Sequence, residues 1–274
     1  MANIEPLSAS RHGKSVWRRS PDWEFARSTV AIPLTIMELP RAIGQLPVAF
    51  LPQGEQYVLS AVLGIERDNN LFVDRRGRWR AAHVPAYLST YPFRLISASD
   101  GRHVVAVDEA SGLISETPGD GEALFTEGGD PAPQVQKVID FLGRVAKSRT
   151  ATDSACATLQ EHDLIEPWPL QLRTADGEQA VRGVCRIAES RLNELPAETF
   201  AELRAGGALA VAYAQLLAQG SVQNLSRLAR LQAREAEKDR QSLPDVTDIF
   251  QEESNTLAFD WDALDTPSDG DHTH

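Results

Sequence analysis

The chain has 274 residues, with 27 Lys and Arg against 39 Asp and Glu, and a formal net charge of −12. That length allows one large domain or two small ones, and the acidic balance argues against a broad phosphate-binding surface. Two cysteines, Cys156 and Cys185, fit neither a disulfide framework nor a zinc spacing. They read as buried small hydrophobes, and free thiols suit a reducing compartment. The N-terminus lacks the apolar core of a secretory signal. The longest apolar stretch, Ala208 to Ala218, is about half of the ~20 residues a spanning helix needs. The expectation is a soluble, cytoplasmic protein.

Residues 1–28 form a polar, basic segment in which Arg11, His12, Lys14, Arg18 and Arg19 stand beside Trp17 and Trp23. Thr35-Ile36-Met37-Glu38 has the form of a capping box, Thr closing the first turn and Glu reaching back. It predicts a short helix ending before Pro47. Val48-Ala49-Phe50 and Tyr57 to Ile65 read as strands, punctuated by Pro52, Gly54 and Asp68-Asn69-Asn70. Leu71-Phe72-Val73 leads into Asp74-Arg75-Arg76-Gly77, a hairpin turn, with Trp79 opening the return strand. Ala81 to Phe93 carries Pro85 and Pro92 and reads as irregular, or as a short helix ended by the second proline. His103 to Val107 is a strand with Gly112 to Ser115 as its expected partner.

Helices dominate after Asp130. Asp130 is placed as a cap with Pro131 first in the helix, and Val135, Val138, Ile139, Leu142 and Val145 share one face. A second helix is expected over Asp153 to Glu161, then a hairpin from Leu170 to Ile187 around Asp176-Gly177. Three short helices follow: Ala197 to Arg204, Leu209 to Ala218, and Val222 to the neighbourhood of Glu237. The fold class is α+β. A β-rich region, 29–127, packs on a mainly helical region, 128–240, and an acidic tail, 241–274, follows.

From Gln241 onward there is no Lys or Arg, and nine acids supply −9 of the net −12. Such a segment has too few apolar residues to build a core and is expected to stay disordered. Many acidic tails only promote solubility, yet this one carries rings that a charge-only tail does not need. Phe250, Phe259, Trp261 and Leu264 are the candidate partner-binding residues, anchors for a pocket with acids for steering. The spacing of the last three suits an extended peptide in a groove better than a helical stripe.

Motifs of known chemistry are few. The chain holds no P-loop, no G-x-S-x-G elbow and no H-E-x-x-H. Gly119-Asp120-Gly121 begins like a dinucleotide fingerprint without its third glycine, and reads as a loop. Six scattered histidines form no H-x-D pair. Neither a metal nor a cofactor is expected. Trp79, His83, Tyr87, Tyr91 and Phe93 cluster around two prolines and form the candidate small-molecule or peptide site. The competing reading is that these rings pack the loop onto the sheet. Asp74 and Asp108 are the carboxylates to inspect for acid–base work, although a turn cap and a strand end account for them. Arg75, Arg76, Arg78 and Arg80 flank Trp79, and they or the Arg11–Arg19 cluster are the basic surfaces suited to an acidic segment. Nucleic acid as a partner would need that patch to outweigh the net charge.

A longer string gives a family resemblance. Phe25-Ala26, Pro33-Leu34 and Glu38 lead to Asn70-Leu71-Phe72-Val73-Asp74 and Gly77-x-Trp79. Val84-Pro85-Ala86-Tyr87, Tyr91-Pro92-Phe93, Val107-Asp108 and Leu124-Phe125 follow, and a helical closure runs from Gly206 to Leu228. In order and spacing these resemble the SapC family of bacterial proteins over residues 10–235. The peptide-importer permease that shares the name needs several apolar spans, and this sequence has none. The resemblance implies a gene neighbourhood of outer-membrane receptors and flavin-dependent halogenase-like or oxygenase genes in Gram-negative bacteria, and no catalytic residues. The functional expectation is a non-catalytic accessory protein that docks a protein partner, in part through the acidic tail. The alternative is an enzyme or a small-molecule or peptide-binding protein built on Trp79–Phe93.

Overall fold

The apolar runs around Phe50 and Leu59 pair as a hairpin, β4 (Val48–Gln53) with β5 (Gln56–Val62), Phe50 facing Leu59 in register. The connecting loop is Gly54-Glu55, and Gly54 takes φ +62°, a left-handed conformation open to glycine at little cost. A computed structural model describes residues 3–97, 103–117, 119–175 and 177–242. Residues 1–232 form one compact unit, and residues 233–274 a second, of which the end of the last helix is described.

The strands before this hairpin are β1 (Ile4–Pro6), β2 (Val16–Trp17) and β3 (Ala31–Pro33), and those after it are β6 (Phe93–Ser97), β7 (His103–Asp108), β8 (Ile114–Ser115) and β9 (Glu122–Ala123). The helical half adds β10 (Ile165–Pro167), β11 (Leu170–Arg173), β12 (Glu178–Val181) and β13 (Cys185–Ile187). The main sheet has five strands in the order β10-β13-β4-β5-β3. It is therefore assembled from both halves of the sequence, with Cys185 opposite Phe50. A second sheet runs β1-β7-β6, a third β8-β2-β9, and β11 with β12 forms a separate ribbon. The basic N-terminal segment is thus woven into two of the sheets.

Four short or medium helices punctuate the chain: α1 (Ala9–His12), α2 (Leu39–Ala42), α3 (Ala86–Ser89) and α5 (Glu189–Asn193). The long one, α4, spans Pro133–Glu161 without a break, and α6 (Ala197–Ala205), α7 (Ala208–Ala218) and α8 (Val222–Ser242) close the fold. At 29 residues α4 is about 43 Å long by the helical rise. Its N-terminal half contributes Val135 and Leu142 to a core with Trp17, Phe93, Val107, Leu124 and Phe125. Its C-terminal half contributes Ala155, Cys156 and Leu159 to the main core under the five-stranded sheet.

Several local expectations are corrected. The helix expected from Asp130 and the one expected from Asp153 are one helix, beginning at Pro133 with Ala132 as its cap. His103–Val107 pairs with β6 and β1, whereas Ile114–Ser115 pairs with β2. Trp79 opens no strand; it makes a single bridge with Val73. Ladder formation stops there because Asp74 Oδ1 takes the N–H groups of Arg76 and Arg78, both at 2.8 Å. Gly77 closes that turn at φ +73°. The acidic tail lies outside the described residues.

Candidate functional site

The capping-box sequence forms a 3-10 turn, Ile36–Glu38, that runs into α2. Thr35 N and Oγ1 both donate to Glu38 Oε2 at 2.9 Å, and Ala86 N, opening α3, donates to Oε1 at 2.7 Å. Helix α4 supplies the turn's remaining caps. Ile36 N donates to Thr152 Oγ1 at 2.9 Å and Met37 N to Ser148 Oγ at 3.2 Å. The run of small polar residues in mid-helix thus satisfies orphan donors of a neighbouring turn.

His83 is held from both sides through its backbone. Its carbonyl accepts from Trp79 Nε1 at 2.8 Å, and its N–H donates to Gln45 Oε1 at 2.9 Å. Its Nε2 lies 3.7 Å from Glu38 Oε1, an electrostatic contact too long for a hydrogen bond, and finds no hydrogen-bond partner. The His83 and Glu38 side chains are only 10% and 6% exposed. Burial alone would push the Glu38 carboxyl up, but the nearby His83 ring and the donors from Ala86 and Thr35 outweigh it. Glu38 therefore sits below its ordinary value, as a carboxylate.

A cleft of about 740 Å³ opens beside this clasp. Met37, Ile43, Val84 and Phe141 give it apolar walls, and Arg41, Gln45 and Ser89 add polar groups. Its volume lies within the ~300–1,000 Å³ typical of small-molecule pockets.

The five sequence-derived ligand residues do not converge on that cleft. His83 lines it. Trp79 stacks on Phe72 at 5.6 Å between ring centroids and acts on the cleft through the His83 carbonyl. Tyr87 is exposed, with the Arg94 guanidinium 5.6 Å from its ring. Tyr91 stacks on Phe25 at 3.9 Å, and burial pushes its phenol up. Phe93 is fully buried, edge-on to Trp17 at 4.9 Å. Phe250, Phe259, Trp261 and Leu264 lie outside the described residues. Arg41 and Phe141 carry no signal in the sequence; the capping box at Thr35–Glu38 and the His83 candidate are what pointed to this region.

Two other carboxylates are committed to structure. Asp74 organises its turn and accepts from Arg78 Nε at 2.7 Å. Asp108 Oδ1 accepts from Asn3 N at 3.0 Å and Ala110 N at 3.2 Å. The N-terminal arginines are partly neutralised, Arg11 by Glu109 and Arg18 by Asp120. His12 is buried, accepting from Ser8 N at Nδ1 and approaching Glu109 Oε1 to 3.0 Å with Nε2. Among the described residues no three His, Cys, Asp or Glu gather to hold a metal. No described helix is long and apolar enough to cross a membrane.

Helix α7 presents the second notable surface. Ala208, Val211, Ala212 and Ala218 on it are buried, as is Gln215. Gln215 staples the sheet, its Oε1 accepting from Ile187 N at 2.9 Å and its Nε2 donating to Val48 O at 3.2 Å. The opposite side carries Tyr213, 43% exposed, and Leu217, 68% exposed, one helical turn apart. A helix that is apolar all round is usually covered all round, and this one is not.

Comparison with curated proteins and with solved structures finds no match to this chain. A model of the SapC family matches residues 7–228. Residues of the resembling string hold the fold around the cleft: Glu38 clasps Ala86, Asn70 bridges Ala26 O to Phe72 N, and Trp79 anchors His83. With the match extending over most of its length, the chain belongs to the SapC family.

Proposed function

We propose that this chain is a non-catalytic accessory protein that docks a protein partner, using the outward face of α7 on its body and the acidic aromatic segment 241–274. The observation that carries the reading is the Leu217–Tyr213 pair, two large apolar side chains exposed on an apolar helix whose inner face is buried. Tyr is among the residues that dominate protein interfaces, and the neighbouring Leu217 would help exclude water around it. The carboxylates support it as well, since Glu38, Asp74 and Asp108 are engaged by structural donors, backbone N–H groups together with the Thr35 hydroxyl and the Arg78 guanidinium. The resemblance points to an oxygenase or halogenase-like enzyme as partner in a bacterium, and the free thiols to the cytoplasm as the setting.

The test is quantitative capture from native-source lysate with three baits: full-length protein, Leu217→Asp, and a 1–242 truncation. A specific partner held by the full-length chain and lost by both variants, with unchanged circular dichroism, is the expected result. Identical partner sets for all three baits would overturn the reading. So would a dimer in sedimentation velocity that Leu217→Asp dissolves, because the face would then serve self-association. The alternative, an enzyme or ligand-binding protein built on Trp79–Phe93, draws support from one observation, the cleft that His83 lines.

A further inference from the structure

The hydrogen-bonding capacity left unspent in the cleft is dominated by donors. Arg41 sits on its rim, exposed, with no ion pair among the described residues. Gln45 gives its side-chain oxygen to His83 N, which leaves its amide hydrogens without a partner among the described residues. His83 is nine-tenths buried, and its Nε2 has no hydrogen-bond partner, an arrangement that costs free energy until something meets it. The one anion in the cleft, Glu38, has both oxygens engaged by Thr35 and Ala86. Around these donors stand Met37, Ile43, Val84 and Phe141, and Met37 is 41% exposed.

We propose that this cleft binds an organic carboxylate with an apolar body, an acyl or aryl acid, whose carboxylate pairs with Arg41 and whose body lies along Met37, Ile43, Val84 and Phe141. Each feature selects for part of that ligand. Guanidinium recognises a planar carboxylate through paired N–H groups. Unpaired amide hydrogens suit the same acceptor-rich head, as does the imidazole in its Nε2–H tautomer. A neutral apolar molecule would leave those donors unmet, and inorganic phosphate would leave the walls wet. The approach of the ligand to Glu38 favours a single negative charge, because a dianion would meet that carboxylate across the His83 ring.

The cleft and the α7 face are independent, so the two readings fail separately. Isothermal titration of the full-length chain is run with octanoate and 2-naphthoate, with their neutral amides, and with inorganic phosphate. Both carboxylates are expected to bind in the micromolar to millimolar range, and their amides about tenfold more weakly, the usual scale for one charge-assisted contact. Arg41→Gln, at an exposed position, should erase the difference between acid and amide. Ala82→Trp, also at an exposed position lining the cleft, should abolish binding of both acids by filling it. Leu217→Asp should leave binding unchanged. The proposal is overturned if neither acid binds, if either cleft variant binds both acids as the parent does, or if phosphate competes as well as octanoate.

Discussion

Glu38 shows how a buried charge is held by backbone and hydroxyl donors. Three donors and the nearby His83 ring compensate its desolvation, so its proton affinity falls below the ordinary value of 4.5. Glu38→Gln would turn an amide NH₂ toward one of those donors and is expected to cost about 1–3 kcal/mol in urea denaturation. The pH dependence has a definite sign. A carboxyl with a depressed folded value contributes stability that is complete above about 4.5 and is lost as pH falls through the folded value. Asp74 is depressed as well, burial being outweighed by the Arg78 and Arg76 contacts, and it adds to the same acid limb below its ordinary 3.8. Stability measured from pH 7 down to 3 should therefore fall less steeply in Glu38→Gln than in the parent. An unchanged slope would mean that the carboxylate is not held as described. Glu24, exposed, and Glu109, partly exposed, are also lowered by arginine partners, and screening there leaves little stability to lose.

Among the elements, α4 contributes Phe141 to the cleft and is the one whose continuity the sequence conceals. The segment Ala146 to Asp153 is small and polar, without the apolar period that marks a helix face, so two helices were expected. No proline or glycine interrupts it after Gly143, so the backbone simply continues. Its polar side chains find their role against the 3-10 turn, where Thr152 and Ser148 cap Ile36 and Met37. Thr152→Val removes one cap and leaves a donor unmet, a loss of about 0.5–2 kcal/mol by the usual worth of such caps. A double-mutant cycle with Glu38→Gln should give a coupling well away from zero, because both side chains hold the same turn. Additive effects would separate the cap from the clasp. The aromatic segment likewise takes its arrangement from distant contacts. Rings that look alike in sequence were distributed by packing, Phe93 to the second core, Tyr91 onto Phe25, Tyr87 to the surface.

On the scale of the whole molecule, the five-stranded sheet decides cooperativity. β13 lies between β10 and β4, and Gln215 from α7 ties β13 to the start of β4, so the strand-rich half cannot complete its sheet without the helical half. The two thiols report on this. Cys156 lies on α4 and Cys185 on β13, both buried. Burial pushes the Cys156 thiol up to about 11 and raises Cys185 as well, so neither is reactive in place. Alkylation at mildly alkaline pH should proceed only through opening of residues 1–232, with one rate for both thiols and suppression by anything that stabilises the fold. Two clearly different rates would show that sheet and helices open separately.

The capping box at Thr35, the turn at Asp74, the apolar character of α7 and the charge of segment 241–274 were all determined by the sequence alone. Each depends on neighbours a few positions away, where hydrogen-bond reach and periodicity are fixed by the chain itself. Tertiary structure alone decided that β13 would join β4, that Glu38 would reach Ala86 forty-eight positions on, and that His83 would line a cleft while Phe93 vanished into a core. Those outcomes turn on which distant surfaces exclude water together, and a single strand or turn carries no record of its partner.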